Sequence, residues 1–300
     1  MSGVILRKFW LENETGAVRP LNGENGIWLM NPTGLGTSTD NDYVDYRNGF
    51  YKLATSNKDP QQTVAGDLYF LGDNPYEMYL SFMDWVYKSS ELYLVYMPAS
   101  IQFKRKIVLK SITKTELKTQ QCLCAPVAML GLTPWFNYEL FEVEENTFNY
   151  ENLFRVDNSI SGRVDQSILA ESSRYEASYE FIAHGQLPAA FKIIYKGFLD
   201  NPAVSVYTVN SGTLIGQCWL DGLRIDASGA FEYSTLYDDS HVIAITGSGV
   251  KSNLAGYLSD LTTEVYPRLP VTEPVRITLS SDSDFKAKAT IEIWYYYKGV

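Results

Sequence analysis

The residues from which a catalytic or metal centre could be built are few. The chain holds two histidines, His184 and His241, and neither has a second histidine or a cysteine at ligand spacing. His184 sits in "FIAHGQLP", where it is expected at a strand end before a turn as a hydrogen-bonded boundary residue, and His241, after "YDDS", reads the same way. Cys122 and Cys124 stand two apart in "QCLCAP", which in a strand puts both on one face. A zinc site needs further ligands, so the pair is expected as small core residues and no metal is expected. With Cys218 the cysteines number three, an odd count that suits a reducing compartment.

Glycine-rich loops offer the next chemistry, phosphate binding. In "MNPTGLGTSTDNDYV", Met30 to Val44, a dinucleotide fingerprint would need a third glycine and a helix after Gly36, and neither follows. The segment is therefore expected as a structural turn. Pro32 fixes one φ angle, Gly34 and Gly36 supply positive φ, and Leu35 plugs an apolar pocket. "ITGSGV" near Gly247 lies between strand-like pieces and lacks the lysine of a phosphate loop. No serine occupies a Gly-x-Ser-x-Gly elbow, and the acidic residues carry no orienting motif of a hydrolase. No cofactor and no enzymatic activity are expected.

The elements that must position these residues read mainly as strands. "VILRKFWLENETGAVRPLNG" breaks at Asn13 to Gly16 like a hairpin. One helix is marked in "DNPYEMYLSFMDWVYKSS": Asn74 is a good N-cap, Pro75 suits the first position, and Glu77 completes a capping box. Tyr76, Tyr79, Leu80, Met83, Val86 and Tyr87 form the stripe expected to cover a sheet. Strands resume at "ELYLVY", "FKRKIVLKSITKTEL" and "QQCLCAPVAMLGLTPWFNYELFEVEEN". Residues 144–166 are polar and aperiodic, so a boundary is placed there: a domain at 1–150, a linker at 151–164, and a second domain at 165–300. The second half is a string of short strands, 175–183, 191–195, 204–209, 217–220, 223–226, 231–233 and 242–245, punctuated as in a sandwich. The last strand alternates Phe285, Ala287, Ala289, Ile291, Ile293, Tyr295 and Tyr297 on one face. Trp294 and Tyr296 then face outward, either toward a neighbouring subunit or under a loop.

Composition agrees with a β-rich chain. It is 45% hydrophobic and 20% charged, as ordinary globular proteins are, and its 22 tyrosines favour half-buried pleated surfaces and protein contacts. A net charge of -10 without a basic stripe argues against nucleic acid as a partner. "MSGVILRKFW" is not a charged-then-apolar leader, and no window approaches about 18 apolar residues, so neither secretion by a signal peptide nor a membrane helix is expected.

"FWLENETGAVRPLNGENGIWLMNPTGLGTS", "QQTVAGDLYF", the amphipathic helix, "KRKIVLKSITKTE" and "GLTPWFNYE" follow in an order that resembles the distal tail protein family of siphophages infecting Gram-positive hosts. "NPAVSVYTVNSGTLIG" and "DGLRIDASG", ahead of the alternating last strand, resemble that family's galectin-like β-sandwich. The resemblance spans nearly the whole chain. It implies an N-terminal β-sandwich "belt" domain with one α-helix that closes a homo-hexameric ring, and a C-terminal galectin-like β-sandwich. The ring would join the tail-tube protein to tail-tip proteins at the baseplate of the virion, after synthesis in the host cytoplasm, and in some relatives carries receptor-binding proteins. Residues 165–300 suffice for a bare sandwich, with "SDLTTEVYPRLP" as a modest excursion. Tyr43, Trp294 and Tyr296 are the candidate subunit contacts, DNA would meet only the ring lumen, and no direct membrane contact is implied. The competing expectation is a module binding host cell-wall glycans, with Trp219, Arg224 and Glu232 as the candidate sugar-stacking set.

Overall fold

A computed structural model describes residues 7–36, 43–46, 49–52, 62–119, 121–143, 149–150, 175–260, 262–282 and 288–300. The fold is mainly β, with antiparallel strand pairs and one α-helix among the described residues. That helix is too short to cross a membrane, and the described residues contain no other candidate. Contacts divide the chain into two compact units, Met1–Asn137 with Tyr297–Val300, and Tyr138–Tyr296. The division falls ahead of residues 151–164, which lie outside the described residues.

In the first unit, Lys8–Asn13 and Val18–Pro20 form the opening hairpin. Its turn is closed by Asn13, whose Oδ1 accepts hydrogen bonds from the backbone N–H groups of Thr15 (3.2 Å) and Ala17 (2.8 Å). Lys8–Asn13 pairs with Leu92–Met97, which pairs with Phe103–Ile112. Phe103–Ile112 pairs with Cys122–Gly131, that strand with Thr63–Leu71, and Thr63–Leu71 with Ile27–Thr33. The two ends meet at Leu21, whose N–H donates to Phe9 O (2.8 Å) and whose carbonyl accepts from Leu29 (2.9 Å). A sheet curled in this way encloses its own apolar face. Phe9, Leu29, Leu68, Phe70, Leu94, Leu123 and Trp135 fill it.

The helix, Pro75–Lys88, starts where Asn74 Oδ1 accepts from Glu77 N (3.3 Å) with Pro75 at the first turn, and ends at Ser89. It buries Pro75, Phe82 and Val86, and Phe70 meets Phe82 and Tyr79 edge-on at 5.7 and 5.5 Å. Burying a side chain such as Phe82 contributes about 1.5–3 kcal/mol. The stripe expected from the sequence is corrected here. Leu80 and Tyr87 are 63% and 78% exposed, because the buried face is centred on Phe82, nearly opposite them.

Besides a two-stranded sheet, Leu199–Asp200 with Arg224–Ile225, the second unit has two larger sheets. One runs Trp135–Val143, Lys288–Tyr297, Leu187–Lys196, Ala230–Thr235, Ser240–Ile245, Lys251–Asn253. The other runs Asn149–Tyr150, Tyr175–Ile182, Pro274–Ser281, Ala203–Thr208, Leu214–Trp219. Each has a buried face at period two, such as Ala289, Ile291 and Ile293 in one and Val275, Ile277 and Leu279 in the other. Residues 254–260 and 262–270 lace the two sheets together. Ser259 N donates to Trp219 O (2.9 Å) and Thr263 N to Gln217 O (3.2 Å), while Leu269 and Ala189 exchange backbone bonds of 2.8 and 2.9 Å. The "SDLTTEVYPRLP" excursion therefore lies along the unit.

Candidate interaction surfaces

The Gly34–Leu35–Gly36 turn needs one of its glycines. Gly34 has φ +79°, and a Cβ there would lie 2.0 Å from Thr63 O, so both conformation and space demand glycine. Gly36 has no positive φ, and an added Cβ meets no atom of the described residues within 4 Å. The expected positive φ at Gly36 is thus corrected; the second left-handed residue of the bend is Asn31, φ +49°, at the irregularity where Met30 and Thr33 both pair with Thr63–Leu71. Leu35 packs against the core, and its carbonyl accepts from Val300 N (2.9 Å). The turn thereby holds the C-terminus in the first unit. Tyr43 opens the strand Tyr43–Tyr46, paired with Gly49–Lys52, and its side chain lies outside the described residues.

Next to this bend the sheet presents an apolar face that the sequence reading missed. Trp28, Met30 and Leu71 are 42%, 44% and 40% exposed, and with Tyr69 and Asn31 they line an open groove of about 320 Å³. Ile27 and Leu29 point inward from the same strand. The signal is in the runs "GIWLM" and "DLYFL", where apolar residues occupy both alternating faces although one should be polar in a solvated sheet. Within the same unit, Arg105 is 4% exposed with no carboxylate bonded to it among the described residues: its Nε donates to Thr133 O (2.7 Å) and Nη1 to Gln62 Oε1 (3.0 Å). Burial lowers this guanidinium to about 10. Gly131 makes room for it, since a Cβ there would lie 2.1 Å from Arg105 Nε.

In the second unit the outward expectation for the last strand divides. Trp294 is half-buried, stacked on Tyr138 at 5.3 Å, with its indole N–H donating to Glu292 (3.1 Å). Tyr296 is 1% exposed, which corrects the expected outward position. Opposite it, one extra residue bulges between Leu187 and Ala190. Tyr237 then packs edge-on against Tyr296 at 4.6 Å and Arg268 lies 3.9 Å over the Tyr237 ring. Burial raises the Tyr296 phenol well above its ordinary range.

Trp219, Arg224 and Glu232 stand on three different sheets: the strands Leu214–Trp219, Arg224–Ile225 and Ala230–Thr235. Arg224 is exposed and lies 4.6 Å over Phe198. Glu232 is 4% exposed and engaged by Lys192 Nζ (3.2 Å) and His241 Nε2 (2.9 Å), while His241 Nδ1 meets Asp239 (2.9 Å). Burial works to raise the Glu232 carboxyl, but the bonds and charges of His241, Lys192 and Lys251 outweigh it and hold the group below its ordinary 4.5. Glu232 and His241 are diagonal neighbours on paired strands, a relation that only the register reveals. His184 is exposed beside Tyr295 at 5.5 Å. Cys122, Cys124 and Cys218 are free thiols, and burial raises Cys218 to about 12. Among the described residues no group of three or more histidine, cysteine, aspartate or glutamate side chains could hold a metal.

Comparison with known proteins follows the same division. Residues 8–131, most of the first unit, match the family described as distal tail protein, N-terminal domain. A chain of the phage P2 baseplate in its activated conformation with Ca is similar at TM-score 0.58 and 15% identity, over 93% of this chain and 99% of that one. The SPP1 Dit (gp 19.1) protein, described as a paradigm of hub adsorption apparatus in Gram-positive infecting phages, is similar at TM-score 0.57 and 7% identity, over 95% of this chain and 98% of that one. At these identities the likeness is one of fold. No curated protein sequence matches. Residues 8–131 of the chain match the distal tail protein N-terminal domain, on a fold shared along most of its length with chains of phage baseplate and hub proteins.

Proposed function

We propose that this chain is a non-enzymatic structural component of a phage tail, a hub whose first unit closes a homo-hexameric ring between the tail tube and the tail-tip proteins. The observation that carries the reading is the distal tail domain match over residues 8–131, joined to a fold likeness that extends over nearly all of the SPP1 hub protein. The face formed by the exposed Trp28, Met30 and Leu71 with the half-buried Tyr69 supports it, because contiguous apolar surface marks a contact with another chain. In a ring this contact is heterologous: the face of one copy meets a different surface of the next, and closure leaves none unpaired. The acidic net charge of -10 suits a lumen through which DNA passes without adhering.

Light scattering combined with negative-stain images of the purified chain tests the reading. Six-fold rings are expected, either alone or on addition of a tail-tip partner. A strict monomer under both conditions contradicts it.

A further inference from the structure

The second unit contains a cleft of about 240 Å³ whose walls the proposed hub role does not use. Its floor is apolar, built from the buried Leu223, Ile225 and Leu254. Its rim is polar, with Arg224, Asp226, Ser228 and Ser252 all exposed. At its edge stands Tyr257, whose side chain is 43% exposed although its backbone is pinned on both sides: N–H to Leu254 O (2.9 Å) and carbonyl from Asp221 N (2.8 Å). A ring held on a fixed turn and left open to water is a ready stacking platform.

The polar groups are fixed as well. Arg224 is set over the Phe198 ring at 4.6 Å, and Asp226 begins a tight turn in which its carbonyl accepts from Gly229 N (2.8 Å). Gly229 and Gly247 close the turns against each other; a Cβ on Gly247 would lie 2.5 Å from Ser228 Oγ. One guanidinium and one carboxylate cancel, so the cleft does not select an anion such as phosphate. Its volume is below the roughly 300–1,000 Å³ of pockets for drug-sized ligands, which leaves room for a single ring. A pyranose matches all three features. It has an apolar C–H face for Tyr257, hydroxyls that donate to Asp226 and accept from Arg224, Ser228 and Ser252, and no net charge.

From this juxtaposition we infer that the cleft between the 223–229 and 244–257 segments binds one neutral pyranose residue of a glycan, with Tyr257 as platform and Asp226 and Arg224 as the hydroxyl-reading pair. The site lies within the second unit and does not depend on ring formation. Saturation-transfer NMR on the full chain tests it, with glucose, galactose, rhamnose and N-acetylglucosamine as probes and glycerol phosphate as the charged control. At least one hexose should bind with a dissociation constant on the order of 0.1–5 mM. Its ring C–H protons should be saturated most strongly, and the control should be silent. Tyr257→Ala and Asp226→Asn should each weaken binding about tenfold or more while thermal unfolding stays unchanged. Silence of all four sugars at 20-fold excess over about 1 mM, or binding unaffected by both substitutions, overturns the inference. Preference for glycerol phosphate overturns the neutral-ligand assignment.

Discussion

The two units use aromatic residues in opposite ways. In the second, even the strand Ala230–Thr235 is buried along its whole length, with Glu232, Ser234 and Thr235 all partnered, and Tyr296 is sealed under Tyr237 and Arg268. In the first, a well-filled core coexists with Trp28, Met30 and Leu71 left about two-fifths exposed on the back of the same sheet. The second unit keeps its largest rings inside and exposes others singly, such as Tyr138, Tyr257 and Tyr266, whereas the first presents Trp28, Met30 and Leu71 together along one groove. On the proposed reading, assembly uses the face in the first unit and small-ligand recognition the cleft in the second.

The contrast can be broken most severely at Gly34. Gly34→Val forces a side chain into Thr63 O at positive φ and should destabilise the first unit by about 3 kcal/mol or more, read by urea unfolding. Gly36→Val, with no described atom within 4 Å of the added Cβ, should change stability by no more than about 0.5 kcal/mol. Equal effects would refute the assignment of the turn to Gly34.

The matching test of the second unit is Tyr237→Ala. It uncovers Tyr296 and removes the platform under Arg268, and although Tyr237 is itself 41% exposed it should cost about 1–2 kcal/mol, with a change in near-ultraviolet circular dichroism. A loss below about 0.5 kcal/mol would mean that the cover over Tyr296 is not part of the unit's stability.

A smaller effect follows from Glu232. Its carboxyl is depressed in the folded state, so its contribution is present above the ordinary 4.5 and is lost as pH falls through the lower folded value. Glu232→Gln should lower stability at neutral pH and flatten the decline below 4.5. An unaltered acid limb would show that the Lys192 and His241 contacts do not favour the carboxylate.

Much of this was legible in the sequence. The helix is bounded by Asn74 and Pro75 where capping chemistry puts it, and the last strand alternates as its residues demand. What escaped depended on partners distant in the chain. Pro274–Ser281 lies inside the second sheet, yet its leading proline demotes the run, since proline is tolerated only at a strand's first position or edge. Tyr296 looked outward by period two until the bulge at residues 187–190 and Tyr237 covered it. The Glu232–His241 pair needed the register, and the exposed Trp28 face needed to be recognised as apolar on the wrong side. Sites made of turns packed together, such as the Tyr257 cleft, leave no periodic trace.

A small expected change in stability accompanies the most decisive measurement, the native mass of the full chain with and without the double substitution Trp28→Ser, Leu71→Ser. Both side chains are already partly exposed, so unfolding should shift by no more than about 1 kcal/mol. The account predicts a six-copy ring for the unaltered chain, alone or with a tail-tip partner, and a monomer for the variant under the same conditions. A variant that still closes the ring would contradict the claim that this face of the first unit drives assembly.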